Sequence, residues 1–249
     1  MKVINTKKSI WNNNNLMKRI LITIGLTTVY MFGTYVVIPG VDPRTLTGLS
    51  QQTGSGLMIL LDMFSGGAFS NASIFALGII SYISASIVML LLVRVIPPFR
   101  KMRSEGESGR SKINRIIRYL TVVILVVQSF AYLTNLQMQI AQAGALLQSE
   151  LWFTISSIII MTAGGMFVLW LGDRITDKGI GNGILLLILF GIINRLPSML
   201  LEEFSSRMNK QTGGFAMFFM EALFLILVIT GAILLVQGVR KTTNKVQQF

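Results

Sequence analysis

The sequence predicts an all-α, polytopic membrane protein with six transmembrane helices and one short re-entrant helix. The chain has 249 residues, of which 52% are hydrophobic, and a mean hydropathy of +0.66, so it is more apolar than an average soluble domain. Runs of about 18 or more nearly uncharged residues recur along it, which is the length that crosses a bilayer. The Lys and Arg residues cluster between alternate runs, as expected of a membrane protein with a fixed orientation.

Composition also excludes several classes of function. The chain has no Cys and no His, which excludes disulfides, thiol or histidine nucleophiles and the common zinc sites. Its acidic residues are scattered and the pattern GxSxG does not occur, so we expect no enzyme activity, no metal and no cofactor. The net charge of +12 would suggest nucleic acid for a soluble protein. In a membrane protein the location of the charges matters more, and we expect no specific nucleic-acid partner.

The first predicted span covers residues 20–38. A tail over residues 1–19 precedes it and carries five Lys or Arg residues. The span would be about 28 Å long, close to the thickness of the hydrocarbon layer. Pro39 and Gly40 follow it, and no small-residue cleavage pattern is present at its end. We therefore expect an uncleaved helix rather than a secretion signal.

A short apolar element over residues 56–64 comes next. Its nine residues would form about 14 Å of helix, which cannot cross about 30 Å of hydrocarbon. Gly66 and Gly67, followed by Ser70 and Asn71, disfavour continuing that helix. A broken backbone at membrane depth persists only where protein or a water-filled cavity covers it. The sequence therefore predicts a re-entrant element over residues 56–69 at the edge of a pore or cavity.

The remaining spans are predicted at residues 72–93, 119–136, 151–171, 180–201 and 215–239. Residues 94–118 are predicted as a basic loop, residues 173–183 as a tight turn, and residues 240–249 as a basic tail. The fifth span is uncharged only as far as Asn194, so it must continue past Arg195, whose side chain is expected to reach the membrane interface. Gly164 and Gly165 predict a point of close helix packing.

The distribution of charge predicts the orientation. With six spans, the two tails, the 94–118 segment and the 173–183 turn lie on one side and hold 18 of the 22 Lys and Arg residues. The positive-inside rule makes that side the cytoplasm. Both termini of this chain are therefore expected to be cytoplasmic.

Two motifs resemble one family. The run FSGGAFSNASIFALGIISYISAS, from Phe64 to Ser86, is similar to the plug and second transmembrane helix of the SecY family, the central subunits of the Sec protein-conducting channel. LGDRITDKGIGNGI, from Leu171 to Ile184, resembles the cytoplasmic turn that leads into the fifth helix of the same family. The resemblance extends from about residue 18 to about residue 238.

The resemblance implies roles for particular residues. Ile79 and Ile83 are four apart, as are Ile188 and Ile192, and spacing alone leaves them as lipid-facing or core residues. The resemblance instead implies that these four contribute to a hydrophobic pore ring. It implies a plug and its hinge from Leu57, Leu60, Leu61, Met63, Phe64, Gly66 and Gly67. It implies a lateral gate that includes Ser84, Ser86, Leu90 and Gln128. For Gln128 an ordinary interhelical hydrogen bond is an equally compatible interpretation.

The implied function is a channel subunit that translocates unfolded polypeptides across, and inserts helices into, the bacterial inner membrane. Implied partners are SecE-like and SecG-like small membrane subunits, the SecA motor ATPase or a ribosome, the translocating polypeptide with its signal sequence, and the lipid bilayer. The basic 94–118 segment could contact anionic headgroups, the ATPase or the ribosome. The alternative is a six-span permease subunit for a small solute, but such a protein should place polar groups at mid-membrane.

The sequence departs from the family in three respects. Family members have ten spans, whereas this chain aligns with about six, so a complete channel is not expected from it alone. Either it is a fragment or a second polypeptide supplies the other half. Ser81 stands where the family often has a proline, and Leu90 where a polar gate residue is common.

Overall fold

The structure is a computed structural model that describes residues 14–41, 56–141, 150–209, 219–221 and 223–235. The predicted tail residues 1–13 and 240–249 lie outside the described residues, as do both ends of the predicted 215–239 span. The described helices are α1 (Asn14–Gly33), α2 (Gly56–Phe64), α3 (Gly78–Val95), α4 (Pro97–Ser104), α5 (Glu107–Ala141), α6 (Glu150–Lys178), α7 (Gly183–Asn209) and α8 (Phe219–Leu235, described apart from residue 222).

The all-α prediction is confirmed, because the described residues are helical apart from turns and one isolated β-bridge. Among the residues that the structure describes, five helices are long and apolar enough to cross a membrane, namely α1, α3, α5, α6 and α7. Six spans were predicted. The predicted sixth span corresponds to α8, whose described part is apolar but too short to count as a membrane span by itself.

The first helix begins and ends earlier than the predicted 20–38. It begins at Asn14, because Leu16 and Met17 extend the apolar pattern and long Lys and Arg side chains tolerate an interfacial position. It ends at Gly33, and the rest of the apolar run forms turns and an extended stretch that pairs Val37 with Ser73. Apolar composition alone does not distinguish a buried extended stretch from a helix.

The third helix also differs from the prediction of 72–93, since it begins at Gly78. The backbone of residues 72–74 hydrogen-bonds to the stretch after α1: the Ile38 amide donates to the Ala72 carbonyl at 2.9 Å, and the Ile74 amide donates to the Val36 carbonyl at 3.0 Å. Ala72 has a positive φ of 46°, which an L-residue rarely adopts. These bonds replace the first helical turns that the uncharged run predicted.

The basic segment 94–118 is helical, which corrects the prediction of a loop. Pro97 begins α4, in agreement with the preference of proline for the first turn of a helix. Gly106, at φ 74°, separates α4 from α5. α5 then runs for 35 residues, from Glu107, instead of covering only 119–136. The polar composition of this segment led to the prediction of a loop. A helix that is exposed to solvent can be polar over much of its length, so the composition did not exclude a helix.

The 173–183 turn is shorter than predicted. α6 continues to Lys178, and only residues 179–182 separate it from α7. Asn182 caps α7, because its side-chain oxygen accepts hydrogen bonds from the amides of Ile184 at 3.2 Å and Leu185 at 3.4 Å. α7 begins at Gly183, rather than 180, and continues past Pro197 to Asn209.

The core lies where α3, α5 and α6 pack against one another, with α1 against α6. A Cβ added to Gly78 of α3 would lie 3.0 Å from the Cα of Gly165 in α6. The predicted close-packing point at Gly164 and Gly165 is therefore confirmed. Most other large apolar side chains on these helices are exposed, which suits contact with lipid or with further membrane helices.

Candidate functional site: a short helix, its connection and an apolar cleft

The connection between α2 and α3, residues 65–77, is not α-helical and is held by the surrounding helices. The hydroxyl of Tyr30 in α1 donates to the Ser65 carbonyl at 3.1 Å. The hydroxyl of Tyr132 in α5 donates to the Phe69 carbonyl at 2.8 Å, and the two rings pack edge to face with centroids 4.9 Å apart. The connection therefore has fixed anchors on both sides of its glycine pair.

A buried ion pair joins the last turn of α2 to α7. Asp62 is only 7% exposed, and its Oδ2 lies 2.6 Å from Nη2 of Arg195. Asp62 Oδ1 accepts a hydrogen bond from the Ser70 amide at 2.8 Å, and Arg195 also donates to the Ser70 hydroxyl. Arg195, which was predicted to reach the membrane interface, thus pairs with a largely buried carboxylate of the same chain.

The two glycines between Asp62 and Ser70 adopt conformations that favour glycine. Gly66 has φ 67° and Gly67 has φ 90°. A Cβ on Gly66 would lie 2.9 Å from the Cα of Gly191 in α7, and a Cβ on Gly67 would lie 2.7 Å from Nε of Arg195. Both the backbone conformation and the close approach to α7 therefore require glycine here.

The apolar side chains of α2 vary in burial. Leu60 is 51% exposed, whereas Leu61, Met63 and Phe64 are partly buried. The side chain of Leu57 lies outside the described part of the chain.

The four isoleucines assigned to a pore ring do not share one environment. Ile79 is 3% exposed and packs in a core cluster with Tyr30, Phe75, Val168, Leu171, Ile175 and Leu187. Ile83 and Ile188 are partly buried, pack against the same cluster, and line one open, apolar cleft of about 240 Å³ between α3 and α7. Ile192 is partly buried and is not among the residues that line that cleft. Two of the four therefore meet at one apolar surface.

The residues assigned to a lateral gate lie on α3 and α5. Ser86 and Leu90 line the same cleft as Ile83, while the Ser84 hydroxyl donates to the Ile80 carbonyl within α3. Gln128 of α5 accepts a hydrogen bond from the Ser81 hydroxyl at 2.7 Å. The interhelical hydrogen bond, left open as an interpretation of Gln128, is thus present.

Sequence reasoning missed the residues that hold the α2 connection. Asp62 is the one acid in the short apolar element, and Arg195 is the one cation in the apolar part of the fifth predicted span. An unpaired charge in each of two apolar segments is costly, which is a signal that the two charges pair. Tyr30 and Tyr132 gave no such signal, because tyrosines are common in membrane helices.

Comparison with known proteins decides the family. The family model described as SecY matches residues 73–247. The chain belongs to the SecY family. Curated SecY relatives include the protein translocase subunit of Buchnera aphidicola subsp. Schizaphis graminum, which is 36% identical over 97% of this chain and 53% of its own length. That of Escherichia coli K12 is 42% identical over 73% of this chain and 41% of its own length. The chain thus spans about half the length of the SecY relatives that it matches.

Solved structures share the fold. A chain described as Sec61 in the canine ribosome-channel complex from the endoplasmic reticulum matches 88% of this chain with a TM-score of 0.53, over 47% of that chain. A structure described as that of a protein conducting channel matches equally well. Identity is 17% in both cases, so these matches show the fold alone. Together with the SecY relatives and the apolar helices, they identify a multi-pass membrane protein.

Proposed function

We propose that this chain contributes the plug and one wall of a protein-conducting channel, through which unfolded polypeptides cross, and helices enter, the bacterial inner membrane. The observation that carries the proposal is the arrangement of α2, which is too short to span a membrane and docks on α7 through the 65–77 connection. Membership of the SecY family supports a channel function, and the arrangement of α2 fits the role of a plug.

The apolar cleft between α3 and α7 suits a passive seal. Ile83 and Ile188 offer branched apolar side chains on facing helices, with little polar surface around them. A narrow apolar constriction resists ions by excluding water. It admits an extended polypeptide, because its side chains need only rotate between staggered rotamers and no hydrogen bonds must break. The full ring would also use Ile192 and residues beyond this chain, whereas Ile79 lies in the core cluster against which Ile83 and Ile188 pack.

The proposal extends to partners and location. We place both termini of this chain in the cytoplasm on the basis of charge. α4 and the start of α5 would present a basic helical surface on that side. SecE-like and SecG-like subunits would associate with the channel. A SecA-type motor ATPase or a ribosome would supply the energy, so the chain itself performs no catalytic step. Ser84, Ser86, Leu90 and Gln128 would border the exit into lipid.

The test is translocation by the complete channel complex that contains this chain, reconstituted in lipid vesicles with its motor ATPase. We expect an unfolded secretory precursor to become protected from external protease when ATP is added. Vesicles that contain the motor but no channel complex are the control. Protection at the level of these control vesicles would contradict the proposal.

A small-solute permease fits the described residues less well. Such a protein needs polar groups available for its solute at mid-membrane. The charges within the apolar parts of α2 and α7 are Asp62 and Arg195, and they compensate each other. Uptake of a small solute without polypeptide translocation, in the same vesicles, would favour the permease.

A further inference from the structure

The carboxylate of Asp62 connects the two sides of the glycine pair. Asp62 lies in the last turn of α2, before Gly66 and Gly67, and Ser70 lies after them. One oxygen of Asp62 accepts from the Ser70 amide at 2.8 Å, while the other is 2.6 Å from Arg195. The same side chain therefore closes the glycine turn and attaches it to α7.

Arg195 contacts the turn at several points. Its guanidinium pairs with Asp62 and donates to the hydroxyl of Ser70, which in turn donates to the Gly67 carbonyl at 3.2 Å. It also lies against Gly67, where a Cβ would be 3.1 Å from its Cζ. The guanidinium thus fills the space in front of the turn, and a side chain at position 67 would have to displace it.

The other anchors of the connection lie on both sides of the glycine pair. Tyr30 holds Ser65, and Tyr132 holds Phe69. Residues 72–74 pair with the stretch after α1. Movement of α2 about Gly66 and Gly67 would leave the Tyr132 contact and this pairing in place, but it would have to separate Asp62 from Arg195 and Ser70, and Ser65 from Tyr30.

We propose that the Asp62–Arg195 ion pair is a latch that holds α2 in the closed position and sets how often the resting channel opens. This inference rests on the proposed function of α2 as the plug. A largely buried ion pair is costly to break when only one partner is removed, since an uncompensated charge remains. Loss of either charge therefore raises the energy of the closed state, whereas the open state, in which water reaches both groups, changes little.

The experiment measures resting ion conductance per assembled channel in vesicles that contain the complete complex. Asp62→Asn and Arg195→Gln should each raise it by about tenfold or more. In the double variant, the fold-increase in conductance should be clearly smaller than the product of the two single increases, because both substitutions remove the same interaction. Arg195→Lys keeps the charge but loses the fork of donors, so it should give an intermediate value.

A second measurement reports the position of α2 directly. The chain has no Cys, so Leu61→Cys introduces one reactive thiol into a partly buried position of α2. Its reaction with a membrane-impermeant maleimide should be faster when combined with Asp62→Asn than without it. This readout remains informative at reduced yield of the assembled complex, because it is a rate for each thiol.

The matched control is the ion pair of Arg118 in α5 with Asp173 near the end of α6, whose atoms are 2.8 Å apart and whose side chains are both exposed. Asp173→Asn should leave both the conductance and the thiol reaction unchanged. Unchanged conductance and thiol reaction in Asp62→Asn and Arg195→Gln would overturn the latch. If the unsubstituted complex translocates a precursor in the same vesicles, that result refutes the latch alone; if it translocates none, the proposed function itself fails.

Discussion

Replacement of Ile83 and Ile188 together by Ser should make the resting channel leak ions. The two side chains line one apolar cleft between α3 and α7. Two hydroxyls in place of two branched apolar side chains would widen the constriction and let water wet it, which removes the barrier to ions. We expect conductance per channel in planar bilayers of the complete complex to rise by about tenfold or more.

Ile79 provides the comparison for this experiment. Because it is 3% exposed in a core cluster, Ile79→Ala should mainly reduce the free energy of unfolding, by about 2–5 kcal/mol. The isosteric change Ile83→Leu should preserve the seal. Unchanged conductance in the double Ser variant, at normal levels of assembled complex, would remove Ile83 and Ile188 from the pore ring.

Gly165→Leu should prevent stable assembly. A Cβ on Gly165 would lie 3.3 Å from the Cα of Gly78 in α3 and 2.7 Å from a methyl carbon of Leu125 in α5. A leucine would thus push α6 away from both α3 and α5. We expect a loss of about 3 kcal/mol or more in the free energy of unfolding, measured by denaturant titration in detergent micelles.

Gly25→Leu is the matched control, because a Cβ at that position of α1 meets nothing within 4 Å in this chain. It should leave unfolding unchanged or slightly improve it, since leucine favours a helix more than glycine does. Equal losses for Gly25→Leu and Gly165→Leu would contradict the close packing of α3, α5 and α6 at Gly165.

The sequence predicted the class of fold and the presence of each main helix, because long uncharged runs have few alternatives to a membrane helix. It did not predict where α1 ends or where α3 begins. The apolar residues 34–38 and 72–77 continue the hydropathy of their helices, but their backbones pair with each other instead. For residues 94–118 the error was the opposite one. Their polarity predicted a loop, whereas the structure has helices there.

The candidate site was predicted in part. The glycine pair was found because consecutive glycines limit helix formation, and both positions do have positive φ. The partners of these glycines, Gly191 and Arg195, are more than 120 residues away in the chain, and only the tertiary fold brings them together. Ile79 and Ile83 share one helical face, as their spacing predicts, and pack in the same core cluster, but only Ile79 is fully buried.

The most direct measurement of the central claim is photo-crosslinking to a polypeptide stalled during translocation through the complete complex. A photoreactive residue is placed at position 83, at position 188, or at position 21 of α1, where Leu21 is 70% exposed. The account predicts crosslinks to the stalled polypeptide from positions 83 and 188 and none from position 21. Crosslinks from position 21 with none from positions 83 and 188 would contradict it.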